Sequence, residues 1–243
     1  MKYPNVLTIL LLAWALLSCG NNLSELQLAA ARGQSDYIKA LIAQGADINE
    51  PNKHGTTPLI LAADNGHLEV VKLFIAQKAN VNAKDNDQMT ALMAAASDGH
   101  SEIVKVLMEA NANPNITNKF GSTALANAVF FGHDEATKTL LSTGTKTNSE
   151  IGDKTLLIAA GLGNTPIVKT LLNAGFNIDA RGKKGRTPIM VAIAFEHPET
   201  VQFLIDNKAD LTVKDDEGAT LMELAESENN SAIINALKKA NAS

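Results

Sequence analysis

Apolar residues fall into two kinds of segment along this chain. The first is an unbroken run from Val6 to Leu17. Those 12 residues are too few to span a bilayer, which needs about 20, but they suit the apolar core of a secretory signal peptide, with Lys2 ahead of it. From Leu23 onward the apolar residues come in short blocks of Leu, Ile, Val and paired Ala, separated by polar turns, and the blocks recur. Anchored on the turn residue that follows each Leu-x-x-Ala-Ala block or its variant, the register runs Gly33, Gly66, Gly99, Gly132, Gly163, Glu196, Asn229, at intervals of 33, 33, 33, 31, 33 and 33 residues. A fixed period of this size marks a repeat protein, in which each unit buries its apolar face only by stacking on its neighbours. In the second unit, Leu59 and Leu61 on a first helix and Val71, Leu73 and Phe74 on a second are expected to supply those stripes.

The repeated words have physical reasons. Pro58 and Pro188 fall near the first helical position, where a missing N–H costs nothing. The paired alanines let two helices approach closely. After the second helix come Gly45, Lys78, Asn111, Gly144, Gly175 and Lys208, at a place where a left-handed residue is expected to end the helix. Asn49, Asn82, Asn115, Asn148 and Asp179 share one turn position and predict a hydrogen-bonded ladder between neighbouring loops. The end units read as caps: Ser24-Glu25-Leu26-Gln27 has a capping-box pattern, and Lys238-Lys239 suit a helix C-terminus.

Gly55-Thr56-Thr57-Pro58-Leu59-Ile60-Leu61-Ala62-Ala63, repeated as Gly185-Arg186-Thr187-Pro188-Ile189 and more loosely as Gly121-Ser122-Thr123-Ala124-Leu125, resembles the signature of the ankyrin repeat, whose period is also 33. The resemblance covers Leu23 to about Ala240. It implies an all-α solenoid of helix-turn-helix units joined by short β-hairpin loops, spanning residues 23–243 as about seven repeats including the caps. It also implies a protein-binding module rather than an enzyme, with the partner on the hairpin tips and the ends of the first helices, on the concave face.

Leu16-Leu17-Ser18-Cys19 resembles a bacterial lipobox. That resemblance implies removal of a signal peptide over 1–18, acyl chains such as palmitate on Cys19, and a short tether over 19–22. Gly20 after the cysteine resembles lipoproteins sent to the outer membrane, so the expected location is the cell envelope, facing the periplasm. Cys19 is the single cysteine, which leaves no disulfide to consider.

Repeat by repeat, the positions at which ankyrin proteins meet their partners hold an uneven set of residues. Phe120, Phe130, Phe131 and Phe195 are four of the chain's seven phenylalanines, and all fall at normally exposed positions, with Ile151 and Leu162 between them. Such an apolar patch marks an interaction site, and Lys119, Lys183, Lys184 and Arg186 flank it. The expected partner is a protein with an acidic rim around an apolar projection. The 31-residue interval is expected to shorten the fifth hairpin by two residues and leave a notch beside the patch.

His67, His100, His133 and His197 recur in register and invite a metal-site reading. Stacked helices lie about 8–10 Å apart, whereas zinc–nitrogen bonds are about 2.0–2.1 Å, so one ion could not gather them. They are expected to be turn residues. No nucleophile elbow or phosphate loop is present in the sequence, and no cofactor or metal is expected. The net charge of −5 gives no basic footprint for nucleic acid. Aromatics at 4% and hydrophobic residues at 45% suit many small helix contacts rather than one thick core. The expected state is a monomer that binds a protein, either as an inhibitor or immunity protein masking a toxic envelope enzyme or as a scaffold for a stress-defence enzyme.

Overall fold

A threonine opens most first helices. Thr57, Thr90 and Thr123 take extended backbone and accept, through Oγ1, the amides of Ile60 (3.4 Å), Met93 (3.3 Å) and Ala126 (3.2 Å), which the helix itself leaves unsatisfied. Pro58 and Pro188 follow at the start of their helices, as expected. The computed structural model describes residues 23–143, 145 and 149–241, without the side chains of 149–151. The signal peptide, Cys19, the 19–22 tether, Gly144 and Asn148 lie outside the described residues.

Fourteen α-helices are described, in seven pairs: α1 (Glu25–Ala31) with α2 (Ser35–Ala43), α3 (Pro58–Asp64) with α4 (Leu68–Ala76), and α5 (Ala91–Ser97) with α6 (Ser101–Glu109). They continue with α7 (Ala124–Phe130) and α8 (Asp134–Ser142), α9 (Ser149–Gly161) and α10 (Thr165–Asn173), α11 (Pro188–Ala194) and α12 (Pro198–Asp206), α13 (Leu221–Ser227) and α14 (Ser231–Asn241). The contacts divide the chain into two compact units, Met1–Gly121 and Ser122–Ser243. In the first, α1, α3 and α5 pack in sequence, with α2, α4 and α6 behind them. In the second, α7, α9, α11 and α13 form the front row and α8, α10, α12 and α14 the back. No described helix is long and apolar enough to cross a membrane.

The alanine pairs sit where helix meets helix: Ala62, Ala63, Ala95, Ala96, Ala159 and Ala160 are fully buried. Phe74 is fully buried too, and Leu59 and Val71 with it. Leu61 and Leu73, expected in the same stripes, are only half-buried, because they point toward the edge of the helix–helix seam rather than into it. The Ser24 capping box is present, its hydroxyl taking the Gln27 amide and the Gln27 side chain returning to the Ser24 N–H. Lys238 and Lys239 occupy the last turn of α14.

The loops between pairs are tight turns rather than paired strands. Three of them close with Asn52 N to Thr56 O (3.0 Å), Asp85 N to Met89 O (3.0 Å) and Asp215 N to Ala219 O (3.1 Å), each with a second backbone bond inside the turn, and only Lys214 and Thr220 form a β-bridge among the described residues. A side-chain oxygen then organises the tip: Asn52 accepts from the amides of His54 and Thr56, Asp85 from Asp87 and Met89, Asp215 from Glu217 and Ala219. The predicted ladder links one loop to the next. Asn49 Oδ1 accepts the Asn80 amide (2.8 Å), Asn82 the Asn113 amide (2.7 Å) and Asp179 the Asp210 amide (2.9 Å).

The expected short fifth hairpin is corrected by the structure. Residues Ser149–Thr155 are helical and run without a break into the body of α9. Glu150, Ile151 and Asp153 are therefore not at a loop tip. A notch among the tips loses its basis.

Lys78, Asn111 and Lys208 adopt left-handed backbone at φ 63°, 62° and 65°, beside Gly45 and Gly175 at 92° and 89°. A lysine held there carries about 1–2 kcal/mol that glycine escapes, partly offset by the greater freedom glycine loses on folding. Lys78→Gly and Lys208→Gly are each expected to raise stability by about 0.5–1 kcal/mol, read from urea unfolding. An unchanged or lower midpoint would show that the lysine stems pack usefully where they are.

Candidate functional site

The in-register histidines are structural. Each stands at the N-cap of a second helix without capping it. Instead, His67 Nε2 lies 3.0 Å from Ala31 O, His100 Nε2 3.1 Å from Asp64 O, and His197 Nε2 2.9 Å from Gly161 O. Each ring thus reaches back to the last turn of the preceding repeat's first helix and satisfies a carbonyl that the helix end leaves open. Among the described residues, no group of three or more His, Cys, Asp or Glu is placed to hold a metal ion. A recess of about 300 Å³ lined by Gly33, Ser35, Gly66, His67, Leu68, Glu69 and Val70 holds one of these rings, already engaged with Ala31.

The ends of the first helices present a different chemistry in each unit. In the first unit they are Asp64-Asn65 and Ser97-Asp98, polar and solvated. Partial burial pushes the Asp64 carboxyl above its ordinary range, with the Asp98 charge adding and His100 opposing. In the second unit they are Phe130-Phe131, Gly161-Leu162 and Ala194-Phe195. Phe131 and Phe195 are C-cap residues, and Leu162 closes α9 with its amide on Ile158 O at 3.0 Å. Phe130 and Phe131 are each 56% exposed, Leu162 45% and Phe195 63%. The first two rings meet edge to face, centroids 5.1 Å apart at 90°. Gly161 lies under this row: a Cβ placed there would press on Val191 Cγ1 at 3.0 Å and meet the Phe195 ring at an ordinary 3.7 Å.

Because α7, α9 and α11 pack in sequence and these residues share one register position, Phe131, Leu162 and Phe195 form a row on one face of the second unit. Phe120 is 86% exposed but sits on a loop tip of the other unit. Ile151 lies in α9 with its side chain outside the described residues. The remaining phenylalanines, Phe74, Phe176 and Phe203, are buried or half-buried, so exposure singles out the residues chosen by register.

Three of the four cations expected beside the patch have acidic neighbours. Lys119 pairs with Asp87 (3.0 Å) and Lys184 with Glu217 (2.8 Å), while Arg186 Nε lies 3.6 Å from the buried carboxylate of Asp215. Asp215 is held below the usual carboxylate range, first by the Ala219 amide, then by Glu217 N–H and Arg186, against the opposing pull of burial. Of the four expected free cations, only Lys183 forms no ion pair with a described residue. The charges of one tip are thus answered by the next.

The family model for ankyrin repeats (three copies) matches residues 2–85, 26–118, 77–151 and 156–243. The chain belongs to the ankyrin-repeat family. Over 89 residues it is 35% identical to rabankyrin-5 of Mus musculus, a stretch that is 36% of this chain and 8% of that protein. Over 69 residues it is 33% identical to the ankyrin repeat-containing protein P1E11.10 of Schizosaccharomyces pombe, covering 28% of this chain and 33% of that one. The match spans a third or less of either relative's length. Among solved structures, the human ASB11 ankyrin repeat domain is similar with a TM-score of 0.78 at 27% identity, over 90% of this chain and 98% of that one. The ankyrin repeat domain of Bcl-3, a member of the IkappaB family, has the same TM-score of 0.78 at 23% identity over 90% and 99%, which shows the fold alone. Ankyrin repeats generally mediate protein–protein binding, and such relatives are typically binding modules rather than enzymes.

Proposed function

We propose that this ankyrin-repeat chain is a membrane-tethered binding module of the bacterial envelope. Acyl chains on Cys19 hold it to the membrane, and a protein partner docks on Phe130, Phe131, Leu162 and Phe195. One observation carries the docking: Phe131, Leu162 and Phe195 stand exposed at three successive equivalent positions of one packed row, with the exposed Phe130 beside Phe131. Each square ångström of apolar surface withdrawn from water contributes about 25 cal/mol, and aromatic anchors commonly carry most of an interface's energy. The tether rests on the sequence alone, where an apolar run of signal-peptide length ends in Leu-Leu-Ser-Cys. Two or more acyl chains would make such an anchor stable, at about 0.8 kcal/mol per buried methylene.

Cell fractionation tests both halves at once. The wild-type chain is expected in the membrane fraction with its partner cross-linked to it, and a chain whose residues 1–19 are replaced by a cleavable signal peptide without a lipidation cysteine in the soluble fraction with the partner still attached. Replacing Phe130, Phe131 and Phe195 with serine should leave the chain in the membrane without the partner. A cysteine-free, cleaved chain that stays in the membrane overturns the anchor; partner capture by the serine variant overturns the docking row.

A further inference from the structure

The charge around the docking row has the opposite sign to that suggested by the order of residues, and it specifies the partner. At the loop tips of the second unit, Lys183, Lys184 and Arg186 of one loop stand against Asp215, Asp216 and Glu217 of the next, three cations against three carboxylates, with Lys184–Glu217 at 2.8 Å and Arg186–Asp215 at 3.6 Å. These facing groups are paired across the two loops.

The helix-end row is not. Following Phe131, Leu162 and Phe195 at the same register, the next position is Glu228, the C-cap of α13, the helix that packs directly on α11. Glu196 follows Phe195 in the turn, held by left-handed backbone at φ 57°. Both glutamates are exposed, and neither pairs with a described cation. The apolar row therefore ends in two uncompensated carboxylates. Across an interface, complementary charge adds on-rate and selects against partners of like charge, and the pull reaches about 10 Å at 0.1 M salt.

We propose that the segment seated on this row is basic and apolar: a hydrophobic projection covering Phe131, Leu162 and Phe195, continued by Lys or Arg residues over Glu196 and Glu228. This rests on the docking reading above and adds the partner's chemistry to it. An acid-flanked segment would meet two unpaired carboxylates at the edge of the patch it must cover.

Two synthetic peptides separate the possibilities. Both carry a Leu- and Phe-rich centre, one ending in three lysines and the other in three glutamates, and each is titrated against the full chain by fluorescence anisotropy at low salt. The lysine peptide is expected to bind about tenfold more tightly, and the gap should narrow as salt screens the charges. With Glu196→Gln and Glu228→Gln together the preference should vanish while both peptides still bind. With Phe130, Phe131 and Phe195 as serine, neither should bind. Equal or better binding of the glutamate peptide, no effect of the glutamine pair, or no binding of either peptide to the wild-type chain overturns the basic–apolar assignment. If the glutamate peptide wins but binding still depends on the phenylalanines, the docking row stands and only the partner's charge is wrong. If binding ignores the phenylalanines, the docking row itself falls.

Discussion

With Phe130, Phe131 and Phe195 replaced by serine, partner binding is expected to weaken by at least about 100-fold, while the melting temperature falls by no more than about 5 °C. Truncating one aromatic anchor at an interface commonly costs about 2 kcal/mol or more, and each 1.4 kcal/mol is about tenfold in affinity. Even with strong non-additivity, two anchors suffice for the stated loss. The small thermal effect follows from exposure: each ring keeps more than half its surface in water, so its removal forfeits little packing. Surface substitutions mostly stay within about 0.5 kcal/mol, and 1 kcal/mol moves the midpoint of a chain of this length by about 2–4 °C. Circular dichroism melting and a titration with the cross-linked partner, once identified, give both numbers. A fall of 15 °C would mean that the rings hold the repeats together and are no docking surface.

A second large effect is expected at one position of the repeat, with opposite signs in two units. Gly163 and Glu196 are equivalent turn residues, at φ +67° and +57°. A Cβ on Gly163 would come within 2.5 Å of His197 Nδ1, and that ring cannot easily yield because its Nε2 is bound to Gly161 O at 2.9 Å. Gly163→Ala is expected to cost about 2–3 kcal/mol, combining the left-handed strain of a non-glycine residue with the clash. Glu196 meets no such ring, since the repeat that follows it carries Asn230 where the one that follows Gly163 carries His197. Glu196→Gly should stabilise by about 0.5–1 kcal/mol through relief of the same strain. Denaturant unfolding measures both. His197→Ala in the Gly163→Ala background should recover part of the loss, the coupling expected of residues in contact. Equal, additive effects would show that the histidine and glycine do not depend on each other.

The same relation explains how far the sequence could be read. Period, helix pairing and left-handed positions depend on local geometry, so Lys78 and Lys208 are legible one repeat at a time, while the ladder from Asn49 and Asn82 joins neighbouring repeats and is legible from their shared register. The exposed row was legible for the same reason, because register alone assigned Phe130, Phe131, Leu162 and Phe195 to helix ends. The ion pairs of the tips are harder to read, because they act between repeats: Lys119 answers Asp87, 32 residues earlier, and Lys184 answers Glu217, 33 residues later. Counting cations within one loop misses partners one period away, although that spacing is itself visible in the sequence. The fifth loop departs from the shortened hairpin that a two-residue deletion suggests, because Ser149–Thr155 are helical and continue into α9, a change that loop length alone does not reveal.

Site-specific photo-crosslinking tests the docking row most directly. A benzophenone amino acid in place of Phe195 should cross-link the partner efficiently, while the same group in place of the exposed Lys169, on the back-row helix α10, should not. Strong cross-linking from position 169 with none from position 195 would contradict docking on the helix-end row.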